Sequence, residues 1–303
     1  MKDFINFYYG INIDSIKKEN DYYRFDYNGD IYYLIPFNQN ASRINYYQDF
    51  TNRLLKYNIQ SHIIMINKDN NYISNMEDVN YILLKTINKN DEISIIDIYN
   101  YQKLFLNEKI MPNKNYTYWS SLWAIKNDFL ESSIKELKKD KIIDLSFDYY
   151  IGLSENAINY YNMTVNNYKN NNNYLTWCHK RVYYPNQTIN YFNPISYIYD
   201  YEVRDIAEYL KETFFVDKNI AYDELNTYLK ICRLDNYKTN LLFARLLYPS
   251  YYFDMLEKWI NNKCDSSKLI GIISKQKEYE VFLKDVYNIL SNKALLFSID
   301  YLI

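Results

Sequence analysis

Two patterns of apolar positions divide the chain. From Tyr22 to Thr86 the apolar residues alternate or come in short runs, the period of strands. Residues 22–27 and 31–37 flank Asn28-Gly29. Asn-Gly between two such runs predicts a hairpin, because both turn residues must take positive φ. Ile44, Tyr47, Phe50, Leu54 and Tyr57 recur at three- and four-residue spacing, so residues 41–57 are predicted to form a helix with these side chains on one face. Residues 61–66, 72–74 and 81–86 read as strands, with a polar turn at 67–71. Strand, strand, helix, strand, strand makes a small antiparallel sheet with a helix laid on it.

From Ser94 the period becomes helical. Predicted helices cover 95–106, 116–138 and 144–168, and then 203–214, 222–232, 237–247, 249–261 and 267–290. Trp119, Leu122, Trp123, Lys126, Phe129 and Leu130 give the second of these its apolar stripe. A polar loop at 170–173 and a β-like section at 175–199 interrupt the series, and Pro249 suits a first helical turn. A β-rich part followed by an α-rich part predicts an α+β protein of two lobes, residues 1–88 and 89–303, with the boundary near 85–91.

Composition narrows the chemistry. There are 35 basic and 37 acidic residues for a formal net charge of -2, which lacks the electrostatic footprint of a duplex nucleic-acid binder. Only four glycines occur, Gly10, Gly29, Gly152 and Gly271, where average usage gives roughly twenty. None are spaced to build a G-x-G-x-x-G turn or a Walker loop. Cys178, Cys232 and Cys264 are far apart, which argues against a disulfide framework and for a reducing compartment. The N-terminus carries acidic residues and no long apolar core, so no signal peptide is expected, and no apolar run is long enough to predict a membrane span. His62 has no Cys or His neighbour in sequence, so no zinc pattern exists. The 38 tyrosines have two readings, a drift toward A- and T-rich codons or a surface able to stack and cross-link.

One region carries more. Residues 175–186 read Leu-Thr-Trp-Cys-His-Lys-Arg-Val-Tyr-Tyr-Pro-Asn, and Asp200 and then Val203-Arg204-Asp205-Ile206-Ala207 follow. With these the chain resembles the spore-coat kinase-like proteins of the YutH and CotS type, closest to the YutH branch, within the aminoglycoside and choline phosphotransferase superfamily. The resemblance implies a two-lobed protein-kinase-like fold: a small antiparallel sheet plus helix, then a mostly helical lobe. In that family the catalytic loop reads His-Gly-Asp, followed by an Asn, a metal-binding Asp at a strand end and an Arg-Asp helix start. On this sequence His179 matches the His, Lys180 stands at the Gly, Arg181 at the catalytic Asp, Asn186 at the Asn and Asp200 at the metal Asp. Arg204 and Asp205 match the helix start. Residues 152–158 are similar to the helix before the loop, and residues 244–253 to the family's C-terminal hallmark. Trp119, Trp123, Asp128 and Glu131 are similar to its long helix.

The departures have chemical meaning. Phosphoryl transfer needs positioned charge more than covalent chemistry. Arg181 cannot accept a hydroxyl proton, and loss of a general base alone costs about two to four orders of magnitude. The strand expected to bring the phosphate-holding Lys, residues 32–37, has none, and Pro36 removes a ladder donor there, which makes that strand an edge or ends it. Gly29 alone remains of a Gly-rich hairpin. Together these imply a pseudokinase, and the resemblance implies that it belongs to the spore coat. His179, Lys180 and Arg181 form a degenerate loop with no catalytic residue, Asn186 and Asp200 a vestigial metal pair, and Arg204 and Asp205 structural partners. No cofactor is expected. Tyr183, Tyr184 and Tyr199 are candidates to fill the substrate space. The implied partners are other coat proteins, and the implied location is the mother-cell cytoplasm and then the spore coat.

The alternative is an ATP-dependent small-molecule phosphotransferase of the aminoglycoside or choline kinase type. It would use Mg²⁺ and ATP, with a displaced carboxylate from Asp205 or Glu202. Taken singly, His179 reads as a hydrogen-bonded core histidine, Asn186 as a loop residue and Asp205 as a helix-start carboxylate. Lys180-Arg181 reads as a solvated pair. Cys178 and His179 point to opposite faces of a strand.

Overall fold

The computed structural model describes residues 1–19, 22–87, 93–108, 116–136, 141–168, 174–182, 184 and 191–299. They fall into two units: Met1–Glu92 with Ile110–Pro112 and Asn186–Tyr197, and Ile93–Lys109 with Asn113–Pro185 and Ile198–Ile303.

The first unit is built on antiparallel strands β1 (Lys17–Glu19), β2 (Tyr22–Tyr27), β3 (Asp30–Pro36), β4 (Ile63–Ile64), β5 (Ser74–Met76) and β6 (Val79–Lys85). Their order is β1-β2-β3-β6-β4, and β5 also pairs with β6. Asn28 and Gly29 close the predicted hairpin with φ of 52° and 80°. Tyr27 pairs with Asp30, so the turn has two residues. The strand holding Pro36 is not an edge. It lies between β2 and β6, and Pro36 ends it. The 61–66 strand shrinks to two residues, and the 72–74 strand shifts to Ser74–Met76. The shift follows from a hairpin turn at Glu77 and Asp78, both at positive φ, which no Gly marks in the sequence.

Two elements lie outside the sequence reading, β1 and helix α1 (Lys2–Tyr9). Gly10 ends α1 with φ 69° and donates its N–H to Asn6 O at 2.8 Å. Phe4 and Ile5 then pack with Ile11, Phe25, Tyr32, Leu34, Tyr81 and Leu83. Helix α2 (Ile44–Lys56) buries Ile44, Tyr47, Phe50 and Leu54 as predicted, while Tyr57 lies past its end and is exposed.

The second unit holds α3 (Ile95–Leu104), α4 (Trp119–Glu136), α5 (Lys141–Asn167) and the paired strands β7 (Leu175–His179) and β8 (Tyr197–Tyr201). After these come α6 (Val203–Val216), α7 (Lys218–Ile231), α8 (Asn236–Leu247), α9 (Ser250–Ile260), α10 (Ser266–Ser274) and α11 (Gln276–Ser291). Local chemistry starts several of them. Ser94 and Asp97 form a capping box, and Asp217, Asp235 and Asp265 each accept a backbone N–H of their first turn. Residues 267–290 form two helices rather than one. The break at Lys275 lets Leu269 and the Tyr279, Phe282, Leu283, Val286 and Leu290 face all be buried. On α4, Trp119, Trp123 and Leu130 are buried, but Leu122 and Phe129 of the predicted stripe are exposed. The 170–173 loop lies outside the described residues. Among the described residues no helix is long and apolar enough to cross a membrane.

Two glycines test this backbone with opposite signs. A Cβ at Gly29 meets nothing within 4 Å but would sit at φ 80°, so Gly29→Ala is expected to cost about 1 kcal/mol. Gly152 lies inside α5, where a Cβ also meets nothing within 4 Å, and Gly152→Ala is expected to gain about 1 kcal/mol. Urea unfolding midpoints measure both.

Candidate functional site

Strands β7 and β8 end beside the start of α6. Asp200 is the fourth residue of β8, and α6 begins at Val203, so Arg204, Glu208 and Lys211 follow on one helix face. Arg204 gathers the strand ends. Its Nε lies 3.0 Å from Asp200 Oδ2, its Nη2 donates to Lys180 O at 3.1 Å, and its Nη1 donates to His179 O. Nη1 also lies 3.5 Å from Asp205 Oδ1.

Asp205 accepts the His179 backbone N–H at 3.1 and 2.9 Å, and its Oδ2 is 2.7 Å from His179 Nδ1. Both side chains are fully buried. His179 is thus the hydrogen-bonded core histidine its sequence setting predicts. Asp205 sits in the first turn of α6 but turns to β7 instead of capping its own helix. Cys178 points elsewhere, donating to Tyr201 O at 3.3 Å, and burial pushes its thiol well up. That disfavours a thiolate nucleophile.

Asp200 is also fully buried. Its Oδ1 accepts the Trp119 indole N–H at 2.9 Å and the Tyr201 N–H at 2.7 Å. Its Oδ2 receives Trp119 at 3.1 Å and Arg204 Nε at 3.0 Å. A Mg²⁺ ligand must turn an oxygen lone pair to the cation, and here protein donors occupy both oxygens while a guanidinium sits beside them. As placed, Asp200 does not fit a metal ligand. Its intended partner Asn186 lies outside the described residues, as does Tyr183.

A second charged group continues along α6. Glu208 Oε1 lies 2.6 Å from Arg245 Nε and 2.8 Å from Lys211 Nζ, and its Oε2 accepts Ser250 Oγ at 2.7 Å. Lys211 also donates to the Arg245 and Tyr248 carbonyls at the end of α8, at 3.0 and 3.1 Å. The Arg245 guanidinium lies 5.1 Å from the Trp119 ring and 5.6 Å from that of Trp123. Burial pushes the Asp200 carboxyl up to about 6 against the pull of Arg204 and Arg245. Burial also acts to raise Glu208, but Lys211 and Arg245 hold it well below the usual carboxylate range. Burial lowers Lys211 to about 8.

A cavity of about 240 Å³ opens on these groups, walled by Trp119, Trp123, Tyr248 and Phe253 and edged by Arg181 and Asp254. Arg181 is exposed, as expected of a solvated loop residue, but it has a partner in its own chain. Its Nη2 is 2.8 Å from Asp254 Oδ1 of α9. Of the tyrosines named as fillers, Tyr184 packs on Tyr209 at 5.7 Å and Tyr199 on Trp177 at 5.7 Å, and neither lines this cavity. Glu202 pairs with Lys238. Sequence reasoning missed Glu208, Lys211, Arg245, Ser250 and Asp254. The 244–253 stretch was a signal for two of them, Arg245 and Ser250.

Comparisons with known proteins bear on the family and the fold. The family described as "Spore coat putative kinase YutH" matches residues 2–286. The endospore coat-associated protein YutH of Bacillus subtilis strain 168 is 29% identical over 198 residues, and the chain spans 58% of that relative's length. Among solved structures, an aminoglycoside phosphotransferase from Alicyclobacillus acidocaldarius superposes with a TM-score of 0.67 at 11% identity, covering 94% of both chains. The choline kinase LicA from Streptococcus pneumoniae gives 0.50 at 11% identity over 92% of this chain and 96% of that one. At such identities the likeness is one of fold: an α+β, kinase-like phosphotransferase architecture.

Two outcomes are expected from the buried charges. A raised carboxyl pKa favours the folded state in acid and loses that advantage as pH climbs from about 4 to about 6. Across that window the stability of the wild type relative to Asp200→Asn is expected to fall by an amount on the order of 2 kcal/mol, read from urea midpoints. Arg204→Lys, which cannot bridge two carboxylates and two carbonyls, is expected to cost about 3 kcal/mol in the same assay at pH 7.

Proposed function

Because this chain belongs to the spore coat putative kinase YutH family, we propose that it is a spore-coat protein that keeps the phosphotransferase scaffold without the transfer chemistry and works through protein contacts. The observation that carries this reading is Arg181. At the position matching the catalytic Asp stands a guanidinium, paired with Asp254 at 2.8 Å. A guanidinium has no acceptor for a hydroxyl proton, and this one is paired with a carboxylate of its own chain.

Further observations support it. Asp200 spends both oxygens on Trp119, Tyr201 and Arg204. The strand matching the Lys-bearing one has no Lys, and Lys85 of the neighbouring β6 is paired with Asp30 at 2.6 Å. The displaced-carboxylate alternative named Asp205 and Glu202. Asp205 is committed to His179 and Glu202 to Lys238. No cofactor is called for, and coat proteins are the partners proposed, met in the mother-cell cytoplasm before deposition on the spore. The name of the Bacillus subtilis relative, an endospore coat-associated protein, supports the coat as destination.

The test is thermal unfolding with Mg·ATP. A folded-state ligand at a hundredfold excess over its dissociation constant adds about 2.7 kcal/mol. No shift is expected at millimolar Mg·ATP. A shift accompanied by phosphate transfer to a small alcohol or amine would overturn the reading.

A further inference from the structure

Helix α4 carries an exposed apolar stripe beside its buried face, with Leu122 at the rim of the cavity that Trp119 and Trp123 line. Tyr118 is 65% exposed, Leu122 40%, Ile125 66% and Phe129 46%. Tyr118 precedes the first residue of α4, but its carbonyl accepts the Leu122 N–H at 3.0 Å, so it continues the helical path. The spacing of four, three and four is that of alternating d and a positions of a coiled-coil seam. The adjoining face of the same helix is already satisfied by Trp119, Trp123, Asn127 and Leu130, which are buried.

The stripe is self-complementary. It reads aromatic, aliphatic, aliphatic, aromatic, with its midpoint between Trp123 and Ala124. A second copy running antiparallel about a two-fold axis at that midpoint sets Leu122 against Ile125 and Tyr118 against Phe129, twice each. Those are the a-to-d layers of an antiparallel helix pair. The contact is isologous and therefore closes at two. Parallel pairing would put Leu at a and Ile at d, a choice that disfavours two strands. The flanks permit the antiparallel form. Lys126 on one side is neutralised by Glu257 at 2.5 Å, and on the other side Asp128 falls beside Ser121 of the second copy.

We propose that this face is a homodimer interface in which α4 of two copies pack antiparallel through Tyr118, Leu122, Ile125 and Phe129. The proposal is independent of whether the neighbouring site transfers phosphate. Four side chains from each copy make a small interface, so association is expected in the micromolar range rather than as a permanent dimer.

Sedimentation equilibrium of the full chain reads the state directly, and a dimer is expected below about 100 µM. Ile125→Glu and Leu122→Glu place a charge on an exposed face, so circular dichroism is expected to stay unchanged while dimer association weakens more than about tenfold. Disulfide cross-linking in a Cys264→Ser background tests the orientation. The Tyr118→Cys, Phe129→Cys double variant is expected to cross-link, and Tyr118→Cys alone is not, because its two copies lie at opposite ends of the stripe. A chain that stays monomeric, which would leave the face to another partner, overturns the proposal. So does a dimer indifferent to Ile125→Glu, or efficient cross-linking through Cys at 118 alone.

Discussion

The second unit turns on one guanidinium. Arg204 is buried, and it binds a carboxylate from β8, a carboxylate from its own helix turn and two carbonyls where β7 ends. Taking these charges out of water is costly, and their mutual attraction offsets the cost only while every donor and acceptor is matched. The planar fork of an arginine supplies the matching, and a lysine has neither the reach nor the number of donors in one plane. Asp200, Asp205 and His179 owe their positions to that fork and to each other.

This has a chemical consequence. A phosphotransferase site presents lone pairs and unspent charge to a substrate. Here the acidic groups face inward and are answered by the chain itself: Asp200 by Trp119, Tyr201 and Arg204, Glu208 by Arg245, Lys211 and Ser250. Arg181, in the loop, is answered by Asp254. The fold is shared with aminoglycoside and choline phosphotransferases, yet a fold hosts many functions and the site decides among them. Our reading of a coat protein acting through contacts rests on that inward turning of charge.

How much of this the sequence discloses depends on range. The Asn28-Gly29 hairpin, the face of α2 and the helix start at Ser94 are local, and their residues mark them; the helix that Asp217 caps starts four residues before the place expected. The Asp200–Arg204 pair is also nearly local, an i,i+4 neighbour across a strand-to-helix turn. What escaped notice is set by distant partners or by backbone that no Gly marks. Glu208 meets Arg245 only through the packing of α6 on α8, and Arg181 meets Asp254 only through the placement of α9. The Glu77-Asp78 turn takes positive φ at both residues without a glycine, so β5 went to the wrong place. The break at Lys275 follows from which apolar residues find a core, a fact of packing rather than of period.

The claim that Asp200 is held by its own protein rather than by a metal can be read at one atom. Trp119 is one of only four tryptophans, so its indole N–H can be assigned in a nitrogen-15 spectrum by comparison with Trp119→Phe. Titration with Mn²⁺, alone and with ATP, broadens any proton within reach of a bound ion. The account predicts a Trp119 indole signal that stays sharp and does not move. Selective loss of that signal at low Mn²⁺, reversed by excess Mg²⁺, would contradict it.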